Sequence, residues 1–194
     1  MKSIIKLFFF LCVFAATFMS CETYSDPKVD YTPIYPLSGE WRVRITNLTT
    51  NALISSSMYT FVTYNTSDYS STQMWIQTTP GITVFSPATS VPRTLRSKIS
   101  CDVAGLSFST TQVTQNLNIA ASSSWPLYAV NAVIDTVTIT GGQVTLNSVA
   151  MPSGVNSDRI YFKLQKTKAP GVTYLVEGYR TTRWNEDASF ITFK

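Results

Sequence analysis

Residues 39–46 read GEWRVRIT and alternate between apolar and polar or charged side chains. Trp41, Val43 and Ile45 fall on one face of an extended chain, and Arg42 and Arg44 fall on the other. A side-chain period of two is typical of a β-strand that buries one face and exposes the other. The stretch therefore predicts a sheet whose buried face begins at a tryptophan.

The same alternation recurs in short runs along the rest of the chain, and no stretch carries a helical apolar period of any length. Further strands are predicted within residues 57–65, 71–78, 94–102, 106–110, 130–151, 158–166 and 171–182. Inside residues 130–151, Gly141 and Gly142 separate two alternating runs. Because glycine permits the positive φ of a tight turn, this pair predicts a β-hairpin.

Eight or nine consecutive strands with mostly short connections predict an all-β protein. The expected architecture is an antiparallel up-and-down β-barrel of about eight strands, and a two-layer sandwich is the alternative. Closure removes the exposed edge strands that promote aggregation. A barrel of that size is filled by its own side chains or holds one small ligand.

The composition excludes several classes of function. The 194 residues contain no histidine, so neither a Ser-His-Asp triad nor a Cys-His pair can form within the chain, and imidazole metal ligands are missing. Without Lys2 and Lys6, the 15 basic residues become 13 against 11 acidic ones, with no dense basic stripe. We therefore expect no nucleic-acid binding, no metal and no cofactor.

Carboxylates are the remaining candidates for acid–base chemistry. Glu186 and Asp187 are adjacent in a late loop, and neighbouring extended residues face opposite ways, so we expect a solvated pair and not a catalytic one. Enzyme activity is therefore not expected from these residues, and no catalytic residue is assigned.

The N-terminus has the pattern of an export signal. Lys2 and Lys6 precede an apolar run over residues 7–19, which is too short to span a bilayer, and Ser20 and Cys21 follow it. The pattern resembles a bacterial lipoprotein signal, in which the cysteine becomes the lipidated first residue. A plain secretory signal is the alternative.

These features predict three segments. Residues 1–20 form the lipoprotein signal peptide, residues 21–36 form a tether with three prolines, and residues 37–194 form the barrel domain. Acylation of Cys21 would attach the protein to a bacterial outer membrane, on its periplasmic or cell-surface face, because several acyl chains at one residue give lasting attachment. Cys101 is then the last free cysteine, so no intramolecular disulfide can form.

The stretch LSGEWRVRI, residues 37–45, resembles the first strand of lipocalins and other calycins. In those folds the tryptophan of a Gly-x-Trp triplet closes one end of the barrel, and an arginine from a late strand packs across it. The resemblance implies this role for Trp41, with Arg180 or Arg183 supplying the cation–π contact.

The stretch VEGYRTTRWNED, residues 176–187, resembles the end of a Bacteroidetes lipoprotein family described as lipid-binding putative hydrolases, which has a calycin-like barrel. Together with the signal, the Gly-x-Trp start and the length, the resemblance spans nearly the whole mature chain. The resemblance implies a lipocalin-like barrel that binds a lipid or small hydrophobic ligand. The hydrolase label of the family does not identify any catalytic residues in this sequence.

Aromatic and apolar side chains on the predicted inner faces are candidates to line a ligand site, with ordinary core packing as the alternative for each. These candidates are Tyr59, Phe61, Trp75, Phe162, Tyr174 and Val176. A second hypothesis is an accessory protein of a cell-surface assembly, which would dock on an envelope protein through exposed aromatics. Trp125, Tyr128 and Trp184 are the aromatics considered for that role.

Overall fold

The computed structural model describes residues 29–79, 84, 95–110, 114–115, 118–119, 130–131, 136–167 and 169–188. The chain divides into two compact units, Met1–Tyr31 and Thr32–Lys194, and the second contains all the helices and strands given below. The predicted signal peptide over residues 1–20, the predicted lipidation site Cys21 and residues 22–28 of the predicted tether lie outside the described residues.

A single 3₁₀ turn, Tyr35–Leu37, precedes the first strand. The strands are β1 Gly39–Asn47, β2 Ala52–Leu53, β3 Tyr59–Asn65, β4 Gln73–Thr78, β5 Arg96–Asp102, β6 Ser107–Ser109, β7 Thr114–Gln115, β8 Asn118–Ile119, β9 Val130–Asn131, β10 Thr136–Ala150, β11 Asn156–Lys166 and β12 Ala169–Arg180. A second 3₁₀ turn, Asn185–Asp187, follows β12. Within the described part of the chain, no helix is long and apolar enough to cross a membrane.

Eight strands close into an antiparallel barrel in the order β1-β3-β4-β5-β6-β10-β11-β12, and β12 pairs with β1 again. Trp41 lies opposite Phe61 of β3 on one side and opposite Arg180 of β12 on the other. Each of these strands pairs with the next barrel strand along the chain, so the topology is up-and-down. The predicted all-β antiparallel barrel of about eight strands is confirmed, and the sandwich alternative is wrong.

The barrel has two distinct ends. At the lower end the chain enters β1 at Gly39 and leaves β12 at Arg180, and the first 3₁₀ turn lies beside them. At the upper end β1 finishes at Asn47 and β12 begins at Ala169. The short strand β2 folds back onto the last residues of β1 at this upper end.

The interior follows the alternation seen in the sequence. Trp41, Val43 and Ile45 of β1 are buried, while Arg42 and Arg44 lie on the outer face. The same alternation on β11 buries Ile160 and Phe162. The inward side chains of the barrel strands form one core cluster, because a strand in a closed barrel has only one face away from solvent.

The predicted hairpin at Gly141 and Gly142 is wrong, since both glycines lie inside the 15-residue strand β10. Thr140 pairs with Lys163 and Gln143 pairs with Tyr161, so β10 carries one extra residue there and forms a β-bulge. Gly141 has a φ of +60°, which suits a bulge as well as a hairpin turn. The positive φ at this position was predicted correctly, but the strand continues through both glycines where a chain reversal was expected.

Candidate functional site

Trp41 seals the lower end of the barrel. Its ring is fully buried, and its indole Nε1 donates a hydrogen bond to Thr63 Oγ1 at 2.8 Å. The Thr63 hydroxyl in turn donates to the carbonyl oxygen of Leu37 in the first 3₁₀ turn at 2.6 Å. This relay satisfies every polar group it buries and ties β1, β3 and the entering segment together.

Arg180 covers the Trp41 ring, with its guanidinium carbon 4.8 Å from the ring centre. Its Nη2 donates to the carbonyl oxygen of Pro36 at 2.7 Å, and its Nε lies 3.0 Å from Oδ2 of Asp158. Sequence reasoning left Arg180 and Arg183 as equal candidates for this position. The geometry separates them, because the Arg183 side chain is 75% exposed and pairs with Glu40 at 2.7 Å.

Sequence reasoning missed Asp158, although a signal for it was present. Asp158 precedes Ile160 and Phe162 by steps of two on β11, which places it on the inward face. A carboxylate on an apolar face requires a cationic partner, and Arg180 provides it at this end of the barrel.

The compact unit begins before the expected residue 37. Ile34 is fully buried in the core cluster, and Pro36 accepts the hydrogen bond from Arg180. Residues 32–36, which the sequence analysis placed in the tether, therefore pack as part of the barrel unit.

Three of the predicted ligand-lining residues are completely enclosed by protein. The exposed fraction is 0% for Phe61, 0% for Phe162 and 1% for Val176. Phe162 makes edge-on contacts with Phe61 at 5.8 Å and with Phe108 at 5.6 Å between ring centres. A void that admitted water would appear as accessible surface, so the interior beside these three side chains is filled by protein atoms.

Two other predicted residues lie at the upper end and are only half-buried. Tyr59 begins β3 and Tyr174 lies on β12, and both pack against the core cluster. Ile54, from the connection between β2 and β3, packs against the same cluster and its amide donates to the carbonyl oxygen of Ile45. We call Ile54, Tyr59 and Tyr174 the upper-end patch.

Trp75 does not line the interior, and its assignment to the inner face is wrong. Met74 and Ile76 of β4 are buried inside, so the period of two places Trp75 on the outer surface. Arg96 and Lys98 of the neighbouring strand lie over its ring, at 4.9 Å and 5.6 Å from the centre. The strand was predicted correctly, but its large aromatic residue, Trp75, lies on the outer face and not on the inner one.

The adjacent carboxylates Glu186 and Asp187 have different surroundings. Glu186 is exposed, as expected, whereas Asp187 is buried, so the expectation of a solvated pair is wrong for Asp187. Burial opposes its charge, but hydrogen bonds from the Thr182 hydroxyl, the Ser153 hydroxyl and the Ser153 amide outweigh it. Together they hold the pKa of Asp187 below its ordinary value and fix the C-terminal turn to the β10–β11 connection.

The other residues that the sequence singled out differ in their exposure. Trp184 is 58% exposed at the lower end, while Trp125 and Tyr128 lie outside the described residues. Cys101 is buried, and burial raises the pKa of its thiol, which lowers its reactivity. Across the described ranges, no three cysteine, aspartate or glutamate side chains are grouped to hold a metal ion.

Sequence comparison identifies a family for this chain. Residues 26–185 match a family model described as lipid-binding putative hydrolase. The match covers most of the chain, including the whole barrel up to the C-terminal turn. No curated protein matches the chain.

Proposed function

Since the chain belongs to the family of lipid-binding putative hydrolases, we propose that it is a membrane-anchored lipoprotein whose barrel binds a lipid or small hydrophobic ligand. The family and the closed barrel both fit ligand binding. The observation that supports this proposal best is that Tyr59 and Tyr174 are only half-buried where they pack on the core cluster at the upper end. Val103 and Leu106 in the β5–β6 turn are also partly buried, but they lie at the lower end, where Trp41 and Arg180 close the barrel.

The upper-end patch is the proposed contact surface for the ligand. Tyr59 and Tyr174 each combine a broad apolar ring with a hydroxyl, a combination that suits the boundary between an acyl chain and a polar headgroup. Ile54 adds a purely aliphatic surface. Ligand sites are mostly apolar with a few placed polar groups, and this patch has that character.

The fully enclosed residues have a different role in this proposal. Phe61, Phe162 and Val176 form the floor beneath the ligand because no space remains beside them for its atoms. A ligand therefore sits at the upper end and does not occupy the barrel axis along its whole length. Trp75 has no part in binding because it lies on the outer face.

The decisive experiment is to purify the full chain and measure its bound lipid by native mass spectrometry and by extraction. We expect bound lipid in the wild type and its loss in Tyr174→Asp, which places a charge in the upper-end patch. Tyr161→Asp is the matched control, because Tyr161 lies on the outer face of the adjacent strand β11. Absence of lipid from the wild type, or equal loss in both variants, contradicts the proposal.

The second part of the proposal is attachment through an acylated Cys21 at a bacterial outer membrane, on its periplasmic or cell-surface face. It is supported by the lipoprotein-like signal over residues 1–20. Labelling growing cells with a radioactive fatty acid tests it directly. We expect label in the wild type and none in Cys21→Ser, with the variant protein released from the membrane fraction, and label retained by Cys21→Ser contradicts this assignment.

A further inference from the structure

A cleft of about 230 Å³ opens on the outer surface of the barrel at its lower end, at the opposite end from the upper-end patch. Strand β1 contributes Glu40 and Arg42, strand β12 contributes Tyr179, and the segment after β12 completes the wall with Thr181, Thr182, Arg183, Trp184, Asn185, Asp187 and Ala188. We call this the outer cleft. Its lining combines two cations, two carboxylates, an exposed indole and hydroxyl or amide groups.

Arg42 carries a positive charge that no carboxylate among the described residues pairs with. Its half-buried side chain lines the cleft together with Tyr179, whose hydroxyl donates a hydrogen bond to the carbonyl oxygen of Asp187 at 2.9 Å. Arg44, two residues further along the same face, shows the contrast by pairing with Glu177 at 3.2 Å. Arg42 therefore lines the cleft with a charge that none of the described carboxylates neutralises.

The nearest buried carboxylate, that of Asp187, does not neutralise the charge of Arg42. Asp187 Oδ1 accepts a hydrogen bond from the Ser153 amide and Oδ2 accepts from the hydroxyls of Ser153 and Thr182, so this carboxylate is bound to Ser153 and Thr182 and not to Arg42. The cleft therefore presents Arg42 as a ready partner for an anion that comes from outside.

Trp184 provides a flat apolar surface in the same cleft. Its side chain is 58% exposed, unlike that of Trp41, which is fully buried. It follows Arg183, whose φ of +65° is unusual for a residue with a side chain and costs conformational energy. The backbone is therefore strained at Arg183, and the residue that follows it, Trp184, exposes its indole ring to solvent.

The other cation of the cleft can change partners. Arg183 pairs with Glu40 at 2.7 Å, but its side chain is 75% exposed and the pair is screened by water. An anionic ligand can therefore replace Glu40 as the partner of Arg183 at little cost.

We propose that the outer cleft binds one ring of an acidic saccharide, with the carboxylate of the sugar on Arg42 and the C–H face of its ring on Trp184. A guanidinium matches a carboxylate in two parallel hydrogen bonds, and the indole covers the apolar face of a pyranose. Thr181 and Asn185 supply partners for ring hydroxyls. The volume of the cleft suits a single ring.

Titration of the ¹⁵N-labelled full chain with galacturonate and with galactose tests this proposal, because the two sugars differ only at C6. The indole N–H signal of Trp184, assigned from Trp184→Phe, is the readout. We expect a saturable shift with galacturonate and at least about tenfold weaker binding of galactose, since a charged hydrogen-bonded contact is lost. Arg42→Gln weakens galacturonate binding by a similar factor, while Arg44→Gln on the same face leaves it unchanged.

Three outcomes would overturn the proposal. They are no saturable shift with galacturonate, equal weakening by Arg42→Gln and Arg44→Gln, or an equal shift with acetate, which carries the carboxylate without a ring. Lipid content measured on the same samples is an independent readout, because the outer cleft shares no residue with the upper-end patch. A failure here is therefore distinguishable from a failure of lipid binding.

Discussion

Gly142 lies so close to Phe108 that a Cβ atom at position 142 would fall 2.4 Å from two carbons of the phenyl ring. The carbonyl oxygen of Phe108 would lie 2.5 Å from the same atom, and this backbone group has little freedom to move. The bulge in β10 therefore does more than bend the strand. It places the backbone of Gly142, which has no side chain, against the ring of Phe108, and this ring contacts Phe162 in the centre of the barrel.

The first prediction concerns this contact. Gly142→Ala should lower the free energy of unfolding by about 1–3 kcal/mol, because the added methyl group overpacks a filled core. Urea denaturation followed by circular dichroism measures the change.

Gly141→Asn is the matched control for Gly142→Ala. Gly141 has a φ of +60°, which asparagine tolerates, and apart from its two chain neighbours no described residue places an atom within 4 Å of a Cβ at that position. Its cost should be smaller than about 1 kcal/mol. A larger loss at Gly141 than at Gly142 would show that backbone conformation, and not the Phe108 contact, limits this part of β10.

The second prediction concerns the seal at the lower end. Arg180→Met should destabilise the fold by about 2–4 kcal/mol, because it leaves the carboxylate of Asp158 without its cation and the carbonyl of Pro36 without its donor. Thermal unfolding and urea denaturation both report this loss.

Arg183→Met is the comparison for Arg180→Met. It breaks only the exposed pair with Glu40 and should change stability by less than about 1 kcal/mol. Similar losses in both variants would contradict the assignment of Arg180 as the residue that covers Trp41.

The third prediction follows from the lowered pKa of Asp187. Since this pKa lies below its ordinary value of 3.8 in the folded protein, the ionised carboxylate contributes stability above pH 3.8. That contribution is lost as the pH falls below 3.8 through the folded-state pKa. Asp187→Asn should therefore be less stable at neutral pH and should show a weaker loss of stability in acid.

Unfolding measured from pH 7 down to pH 2 checks the acid profile, with Glu186→Gln as the control. Glu186 is the exposed neighbour and makes none of the hydrogen bonds to Ser153 or Thr182, so its replacement keeps the acid-induced loss that Asp187 causes. An unchanged profile in Asp187→Asn would contradict the role of those hydrogen bonds.

The fourth prediction separates the two faces of the barrel. Phe162→Ala should cost about 3–5 kcal/mol, because the side chain is fully enclosed and its loss leaves a cavity between Phe61 and Phe108. Trp75→Ala should cost only about 1 kcal/mol, since it removes a partly exposed ring from the outer surface. Urea denaturation of the two variants measures these losses in the free energy of unfolding and so distinguishes a filled interior from an open one. A small loss for Phe162→Ala would indicate that the interior collapses or is not tightly packed.

The strands were predictable from local patterns in the sequence. The alternation in GEWRVRIT placed Trp41, Val43 and Ile45 on one face, and the structure buries all three. The absence of any long helical period, together with many short alternating runs, predicted an all-β antiparallel protein, with a barrel expected and a sandwich as the alternative. A period of two depends only on the geometry of the extended chain, so it can be read without knowing the neighbours of a strand.

The candidate site was less predictable, because it depends on which strands become neighbours. Tyr59 and Tyr174 were proposed beside Phe61 and Phe162 for the same reason, yet the first pair is half-buried and the second is enclosed. Their burial differs with their height along the barrel axis. That height is set by strand register, which the sequence of a single strand does not encode.

The sequence by itself determined that this chain folds as strands with one apolar face, because side-chain alternation is a local property of the backbone. Only the tertiary structure decided that Arg180 and not Arg183 covers Trp41, that Gly141 and Gly142 form a bulge, and that Arg42 lines a cleft without pairing with any carboxylate of the described residues. Each of these depends on which strands pair and in which register, because the register of hydrogen bonds between strands decides which side chains lie together.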